Sequence, residues 1–258
     1  MVRGLDIFKK YFEKFPDQYV IIGGTACDII IGEAGFTPRT TKDIDIILVV
    51  EALNADFVKQ FWQFIKDGSY ERKEKSEGER KYYRFTKPEN PEFPFQIELF
   101  ARKPDLLDIE EQARLTPIPV DDDLSNLSAI LLNDDYYRYM LEHSVMENGL
   151  HRSNIEALIC LKAKAYLEIA DRITKGSKED SKHLGKHKGD VFRLAVMLAE
   201  QDVFELPEVI KNNLQIFVDT ISTDLPGKEM FKEMGFGSAS TENVFKQILK
   251  SFRLKGKE

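Results

Sequence analysis

The segment DIDIILVV at residues 43–50 constrains the fold most, because acidic and apolar residues alternate in it. Successive side chains of a strand point to opposite faces. Asp43 and Asp45 therefore share one face, while Ile44 and Ile46 point into a core. Two neighbouring carboxylates repel each other and resist burial unless a cation compensates them. The segment predicts a mostly buried strand that presents two acids to a cation.

A glycine pair about twenty residues upstream supplies a second constraint. YVIIGG at residues 19–24 predicts a buried strand that ends in a glycine turn, and Thr25 follows at the start of a short helix. Glycines allow the backbone to approach a ligand closely, and the free amides of a helix N-terminus suit phosphate oxygens. We therefore predict that Gly23, Gly24 and Thr25 bind the phosphates of a nucleotide.

The two aspartates favour divalent metal chemistry on that nucleotide. Magnesium prefers oxygen ligands and keeps positions open for substrate phosphates, so we expect two Mg²⁺ ions on Asp43 and Asp45 and an NTP as substrate. The predicted third acid is Glu98 in FQIELF, which could hold a metal or accept the proton of an attacking hydroxyl. Asp105 and Asp108 are the alternatives for this role.

The order of the predicted elements gives the fold class. Helices are predicted at 5–15 and 54–68, strands at 80–87, 94–103 and 127–132, and helices at 205–223 and 240–253. Ser153 and Glu156 have the spacing of a capping box that begins a long helix. We predict an α+β protein: a short mixed sheet flanked by helices in a domain at 1–150, followed by an all-helical domain at 151–258.

Composition and charge limit the class of protein and its cellular location. The chain has 258 residues, a net charge of −7 and two cysteines, Cys27 and Cys160. The acidic balance argues against a protein that coats nucleic acid non-specifically, and the cysteines do not suggest a disulfide framework. No apolar run reaches the roughly 18 to 20 residues that span a bilayer. We expect a cytoplasmic protein without a membrane partner.

The segments GGTACDII and RTTKDIDIILVV together resemble the nucleotidyltransferase superfamily of the DNA polymerase beta type. That superfamily has a Gly-Gly or Gly-Ser turn followed by D-x-D on a strand. More narrowly, RTTKDIDIIL is similar to the R-x-T-x-D-h-D element (h apolar) of AbiEii-type abortive-infection toxins. The resemblance implies the phosphate, metal and acid roles given above, and it adds Arg39 and Thr41 as nucleotide-binding residues.

The helical half extends the resemblance to the AbiEii-type group, whose members carry a helical lysine and a later K-D-x-x-D element. Lys162 matches the first, and Lys188 and Asp190 match the second, although Gly189 and Arg193 depart from the pattern. The resemblance implies that these residues bind the nucleotide, and the lysines would neutralise triphosphate charge. The alternative for Lys162 is an ordinary solvated helix position.

The segment at 175–190 is rich in lysine and histidine. It would either bind an acceptor RNA or triphosphate, or form a mobile polar loop, and the composition favours the loop.

The predicted function is Mg²⁺-dependent transfer of NMP from an NTP to an acceptor hydroxyl, with release of pyrophosphate. The resemblance implies a toxin that acts on tRNA and has a cognate antitoxin protein as partner. A protein side chain or a small molecule such as an aminoglycoside are other acceptors. A catalytically inactive nucleotide- or partner-binding module of the same fold is the alternative of a different class.

Overall fold

The computed structural model describes residues 2–49, 52, 54–77, 80–101, 116–117, 130–131, 133–176 and 182–256. The alternative third acids, Asp105 and Asp108, lie outside these residues, and so does most of the strand predicted at 127–132.

One mixed sheet contains the described strands, which are β1 (Tyr19–Ile22), β2 (Asp43–Leu48), β3 (Glu71–Glu77), β4 (Arg80–Thr86), β5 (Gln96–Ala101), β6 (Thr116–Pro117), β7 (Ser144–Glu147) and β8 (Leu150–Ser153). Their order across the sheet is β6-β3-β4-β5-β2-β1-β8-β7. The pairs β2–β5, β1–β8 and β3–β6 are parallel and the other neighbours are antiparallel. The middle of this sheet therefore consists of β5 and β2, with β4 and β1 on either side of them.

The described helices are α1 (Leu5–Phe12), α2 (Gly23–Glu33), α3 (Ala55–Asp67), α4 (Asp134–Glu142), α5 (Ile155–Thr174), α6 (Lys182–Ala195), α7 (Glu208–Ile221), α8 (Glu229–Met234) and α9 (Thr241–Ser251). The predicted fold class, a mixed sheet with helices followed by a helical segment, is confirmed. In the described part of the chain, no helix combines the length and the apolar character that crossing a membrane requires.

The chain divides into two compact units. Unit 1 consists of Met1–Ile29, Thr40–Ser128 and Leu141–Ser153, and it contains the whole described sheet. Unit 2 consists of Ile30–Arg39, Ala129–Met140 and Asn154–Glu258. It thus combines nearly all of residues 151–258 with two earlier segments.

Aromatic side chains build the core between α1, α3 and the sheet in unit 1. Phe12 is completely buried, and its ring centroid lies 5.5 Å from that of Phe57 and 5.4 Å from that of Phe64. Phe8 contacts the ring of Tyr19 on β1 edge-on at 5.2 Å. Offset and edge-on aromatic pairs add stabilisation beyond the area they bury. These helices therefore form because their apolar stripes, already visible in the sequence, cover one face of the sheet.

Helix α5 begins differently from the prediction. Its N-cap is Asn154, and Ser153 is instead the last residue of β8. The Ser153 side chain is completely buried, and its hydroxyl has no hydrogen-bond partner among the described residues. The predicted capping box is therefore wrong, because the helix begins one residue later and the Ser153 hydroxyl does not bond to its first turn.

The polar segment at 175–190 is also different from the favoured loop, because α6 begins at Lys182. The buried face of α6 includes His187, Asp190, Val191 and Leu194, at the spacing of a helix surface. Two of these four residues, His187 and Asp190, are polar. A prediction from apolar residues alone therefore did not find this buried helix face. Residues 177–181 lie outside the described residues.

Candidate active site

Strand β2 places the two aspartates as predicted from the alternation of its residues. Ile44 and Ile46 are completely buried, Asp45 is 8% exposed, and Asp43 at the first position of the strand is half-buried. Burying a carboxylate costs free energy unless hydrogen bonds or opposite charges compensate it.

Gly23 lies directly against Asp45. Ile22, the last residue of β1, pairs with Asp45 in the antiparallel register, and α2 begins at the next residue with Gly23 at a φ of 67°. A Cβ atom on Gly23 would collide with the Asp45 carboxylate and would lie 2.9 Å from its Cγ. Both the positive φ and the lack of space exclude a side chain at this position.

The predicted glycine turn is therefore the first turn of α2. Gly23, Gly24 and Thr25 all belong to this helix. Thr25 is completely buried, and its hydroxyl donates a hydrogen bond to the backbone carbonyl of Asp43 at 2.5 Å. The threonine thus ties the start of α2 to the start of β2. A phosphate-binding role for these three residues stays a prediction.

Glu98 lies beside Asp45 on the adjacent strand. In the parallel register of β2 and β5, Asp45 pairs with Glu98 and Asp43 pairs with Gln96. Paired residues of adjacent strands project to the same face of a sheet. The sheet thus brings the three predicted acids to one face, although more than fifty residues separate Asp45 from Glu98 in sequence.

Arg84 compensates the charge of Glu98, and the sequence prediction missed it. It pairs with Glu98 in the antiparallel register of β4 and β5, and its Nε lies 2.8 Å from Glu98 Oε1. Gln96 Nε2 donates to the same oxygen at 2.9 Å. The side chains of Arg84 and Glu98 are 15% and 7% exposed. The sequence contained one signal for Arg84. It is a charged residue next to Phe85 in a strand-like segment, and Glu98 is likewise a charged residue between apolar neighbours.

The residues of this site fit magnesium through oxygen ligands. Asp43 and Asp45 provide carboxylates on one strand face, and Mg²⁺ is usually bound by one or two protein carboxylates together with substrate phosphates. Among the described residues, no group of three or more His, Cys, Asp and Glu side chains is arranged to hold a metal ion. The two carboxylates of β2 therefore suit a metal that takes its remaining ligands from substrate phosphates.

A second cluster of predicted residues lies within unit 2. Asp190 on α6 accepts from Arg39 Nε at Oδ1 (3.1 Å) and from Arg39 Nη2 at Oδ2 (3.3 Å), and Lys162 Nζ on α5 lies 3.1 Å from the same Oδ2. Arg193 Nη1, one helical turn away, lies 3.7 Å from Asp190 Oδ1. The structure thus joins Arg39, Lys162 and Asp190, three residues that the sequence assigned to nucleotide binding.

Burial and neighbouring charges shift the pKa of Asp190 in opposite directions. Desolvation by itself raises the pKa of Asp190, but the charges and hydrogen bonds of Lys162 and Arg39 outweigh it and hold the pKa below its ordinary value. Lys162 is 1% exposed, so the alternative of a solvated helix lysine is wrong. A lysine so deeply buried requires a partner such as Asp190.

Burial also dominates the neighbouring His187. Desolvation, with a further contribution from the Lys162 charge, lowers the pKa of His187 to about 2. Its Nδ1 atom is buried without a hydrogen-bond partner among the described residues. The ring is therefore neutral in the folded protein at physiological pH.

Two predicted residues remain, Lys188 and Thr41. Lys188 donates to the side chain and to the backbone carbonyl of Asp224, each at 2.7 Å, and so links α6 to the segment that follows α7. Thr41 is half-buried in the segment before β2. Their nucleotide-binding roles stay predictions.

No protein-family model matches the chain, and no curated protein sequence matches it. Among solved structures, an antigenic nucleotidyltransferase-like protein from Paracoccidioides brasiliensis is similar, with 14% identity and a TM-score of 0.42 over 86% of this chain and 94% of that chain. The Cid1 poly(U) polymerase, in a mutant form bound to MgATP, is similar with 10% identity and a TM-score of 0.32 over 95% of this chain and 75% of that chain. Because both TM-scores lie below 0.5, the functional conclusion depends on the geometry of the site.

Proposed function

We propose that this protein is a magnesium-dependent nucleotidyltransferase that moves NMP from an NTP to an acceptor hydroxyl and releases pyrophosphate. One observation carries the proposal: Asp45 lies between Gly23 and Glu98 at the centre of the sheet, with Asp43 on the same strand face. Asp45 is 8% exposed and lies against Gly23, and two carboxylates on one strand face suit a divalent cation that takes its other ligands from substrate phosphates.

Each residue has a role in this proposal. Asp43 and Asp45 hold the metal, and the first residues of α2, Gly23 to Thr25, bind phosphate oxygens. Bound magnesium supplies charge neutralisation and orientation of the triphosphate. Glu98 is the third acid, next to Asp45 in the register. In phosphoryl chemistry of this type, alignment and electrostatic stabilisation provide most of the rate.

For Arg39, Thr41, Lys162, Lys188 and Asp190, a nucleotide-binding role depends on the sequence resemblance. Arg39, Lys162 and Asp190 form one cluster within unit 2. Their substitution tests a function in nucleotide binding only if the fold survives, so stability has to be measured beside affinity.

We propose tRNA as the acceptor, a toxin as the biological role and a cognate antitoxin as the partner, on the basis of the R-x-T-x-D-h-D resemblance. Protein side chains and aminoglycoside-like small molecules are the competing acceptors. To identify the acceptor, the purified protein is incubated with each α-labelled NTP and either total RNA or a protein lysate. Labelled RNA of tRNA length supports the tRNA proposal, whereas labelled protein or small molecules contradict it.

Calorimetry separates the enzyme from an inactive module of the same fold. Each NTP is titrated into the protein with and without Mg²⁺. Magnesium-dependent NTP binding that is lost in Asp45→Asn, and kept in the control Asp67→Asn, supports the proposed site. Asp67 is a suitable control because it lies at the exposed end of α3, where it pairs with Tyr11 and Gln63. Binding without label transfer to any acceptor would favour the inactive module.

A further inference from the structure

We propose that Arg84 is a positioning residue of the candidate active site. Its guanidinium holds Glu98 beside Asp45 and supplies the positive charge that a metal ion would otherwise supply at Glu98. Glu98 is then not a metal ligand. The metal ligands that the protein provides are Asp43 and Asp45. This inference deepens the proposed function and rests on it for its catalytic part.

Hydrogen bonding at Glu98 is the first argument. Glu98 Oε1 accepts from Arg84 Nε at 2.8 Å and from Gln96 Nε2 at 2.9 Å. A carboxylate oxygen offers about two lone-pair sites, so these two donors occupy that oxygen. A metal ion at Oε1 would have to displace both of them.

Charge and burial give the second argument. An arginine side chain stays protonated in proteins, and both partners of this pair are largely shielded from water. In such surroundings a carboxylate without its cation is strongly unfavourable. Arg84 therefore places a positive charge 2.8 Å from the Glu98 carboxylate, in the row that also contains Asp45.

The sheet register gives the third argument. Arg84, Glu98 and Asp45 occupy one row across the adjacent strands β4, β5 and β2. Adjacent strands lie about 4.8 Å apart, so a rigid row fixes the distance between the guanidinium and the aspartate pair. Regular strands hold functional side chains more accurately than loops do.

Manganese binding without nucleotide tests the inference independently of turnover. Mn²⁺ is titrated into the full chain by calorimetry, and the decisive variant is the double substitution Arg84→Met with Glu98→Gln, which keeps the summed charge of positions 84 and 98 at zero. We expect its affinity to stay within about threefold of the wild type, because the ligands Asp43 and Asp45 remain. A loss of about tenfold or more, with the fold intact in thermal unfolding, would show that Glu98 is a ligand and would overturn the inference.

Two further variants sharpen the result. Arg84→Met alone removes the positive charge of Arg84 from the site, and we expect tighter Mn²⁺ binding because the negative charge of the site rises. Lys87→Met with Glu71→Gln removes an exposed pair of unit 1 as the matched control, since its atoms lie 2.9 Å apart and its side chains are 71% and 56% exposed. Unchanged Mn²⁺ affinity in Arg84→Met would contradict the charge role of Arg84.

Arg84→Lys tests positioning, because lysine keeps the charge but lacks the planar fork of arginine. We expect wild-type Mn²⁺ affinity, kcat lowered by about tenfold and an unchanged KM for the NTP. A wild-type kcat in Arg84→Lys would overturn the positioning role. If the wild type binds Mn²⁺ but transfers no nucleotide, the proposed function fails, and the binding measurements still decide whether Arg84 replaces a metal ion.

Discussion

Gly23 and Asp45 lie so close together that a methyl group on Gly23 would lie 2.9 Å from Asp45 Cγ. The sequence suggested that the glycines make room for a ligand. In the structure, Gly23 leaves space for the carboxylate of Asp45, which is a predicted ligand of the metal. The function of Asp45 and the backbone conformation of Gly23 are thus coupled.

Gly23→Ala should destabilise the protein and disturb the site. A non-glycine residue at a φ of 67° costs about 1–3 kcal/mol, and the collision with Asp45 adds to that cost. Urea unfolding measures the change in the free energy of unfolding. Gly32→Ala in the same helix is the control, because a Cβ there meets no atom within 4 Å, and it should raise stability by about 0.5 kcal/mol. Equal stability of Gly23→Ala and the wild type would contradict the predicted strain.

Asp45→Asn should abolish nucleotidyl transfer while leaving the fold in place. The substitution keeps the shape of the side chain but removes the charge that would hold the metal, so we expect kcat to fall by roughly 100-fold or more. Label transfer in steady-state assays measures the loss, and thermal unfolding checks the fold. Asp67→Asn should retain wild-type transfer. An Asp45→Asn protein that transfers label at the wild-type rate would contradict the site.

Lys162→Met should destabilise unit 2. Lys162 is 2% exposed at its side chain and pairs with the buried Asp190, and breaking a buried pair costs about 3–5 kcal/mol. Because Arg39 still compensates Asp190, we expect a loss of about 3 kcal/mol in urea unfolding. Lys164→Met provides the comparison: its pair with Glu168 is more exposed, and its loss should stay below about 1 kcal/mol. Similar losses in the two variants would refute the buried pair.

His187 should make the protein less stable as the pH falls below neutrality. Burial lowers the pKa of His187 from 6.5 to about 2, so between these values the unfolded chain binds a proton that the folded protein does not. Stability contributed by the neutral ring is present above about pH 6.5 and is lost progressively as the pH falls. His187→Gln should reduce the slope of unfolding free energy against pH by about 1.4 kcal/mol per unit between pH 6 and 4.

Urea unfolding at several pH values between 7 and 4 measures that slope. The control is His183→Gln, at an exposed position of the same helix, and it should keep the wild-type slope. If His187→Gln keeps it as well, the buried neutral state of His187 is wrong.

Local patterns in the sequence were sufficient for the elements themselves. The alternation in DIDIIL predicts β2 and the shared face of its aspartates, and the apolar stripes of α1, α3, α7 and α9 place these helices to within a few residues. Such patterns depend only on the period of a helix or a strand. They fail where a buried face is polar, as on α6, or where two roles compete for one residue, as at Ser153.

Pairing between distant segments was decided only by the tertiary structure. The parallel register of β2 and β5 places Glu98 beside Asp45, the next strand adds Arg84, and Arg39 meets Asp190 across 151 positions of sequence. Strand order and register arise from how all the elements bury their apolar faces together, and no single segment contains that information. The sequence by itself therefore determined which acids are available, and the tertiary structure decided which charges compensate them.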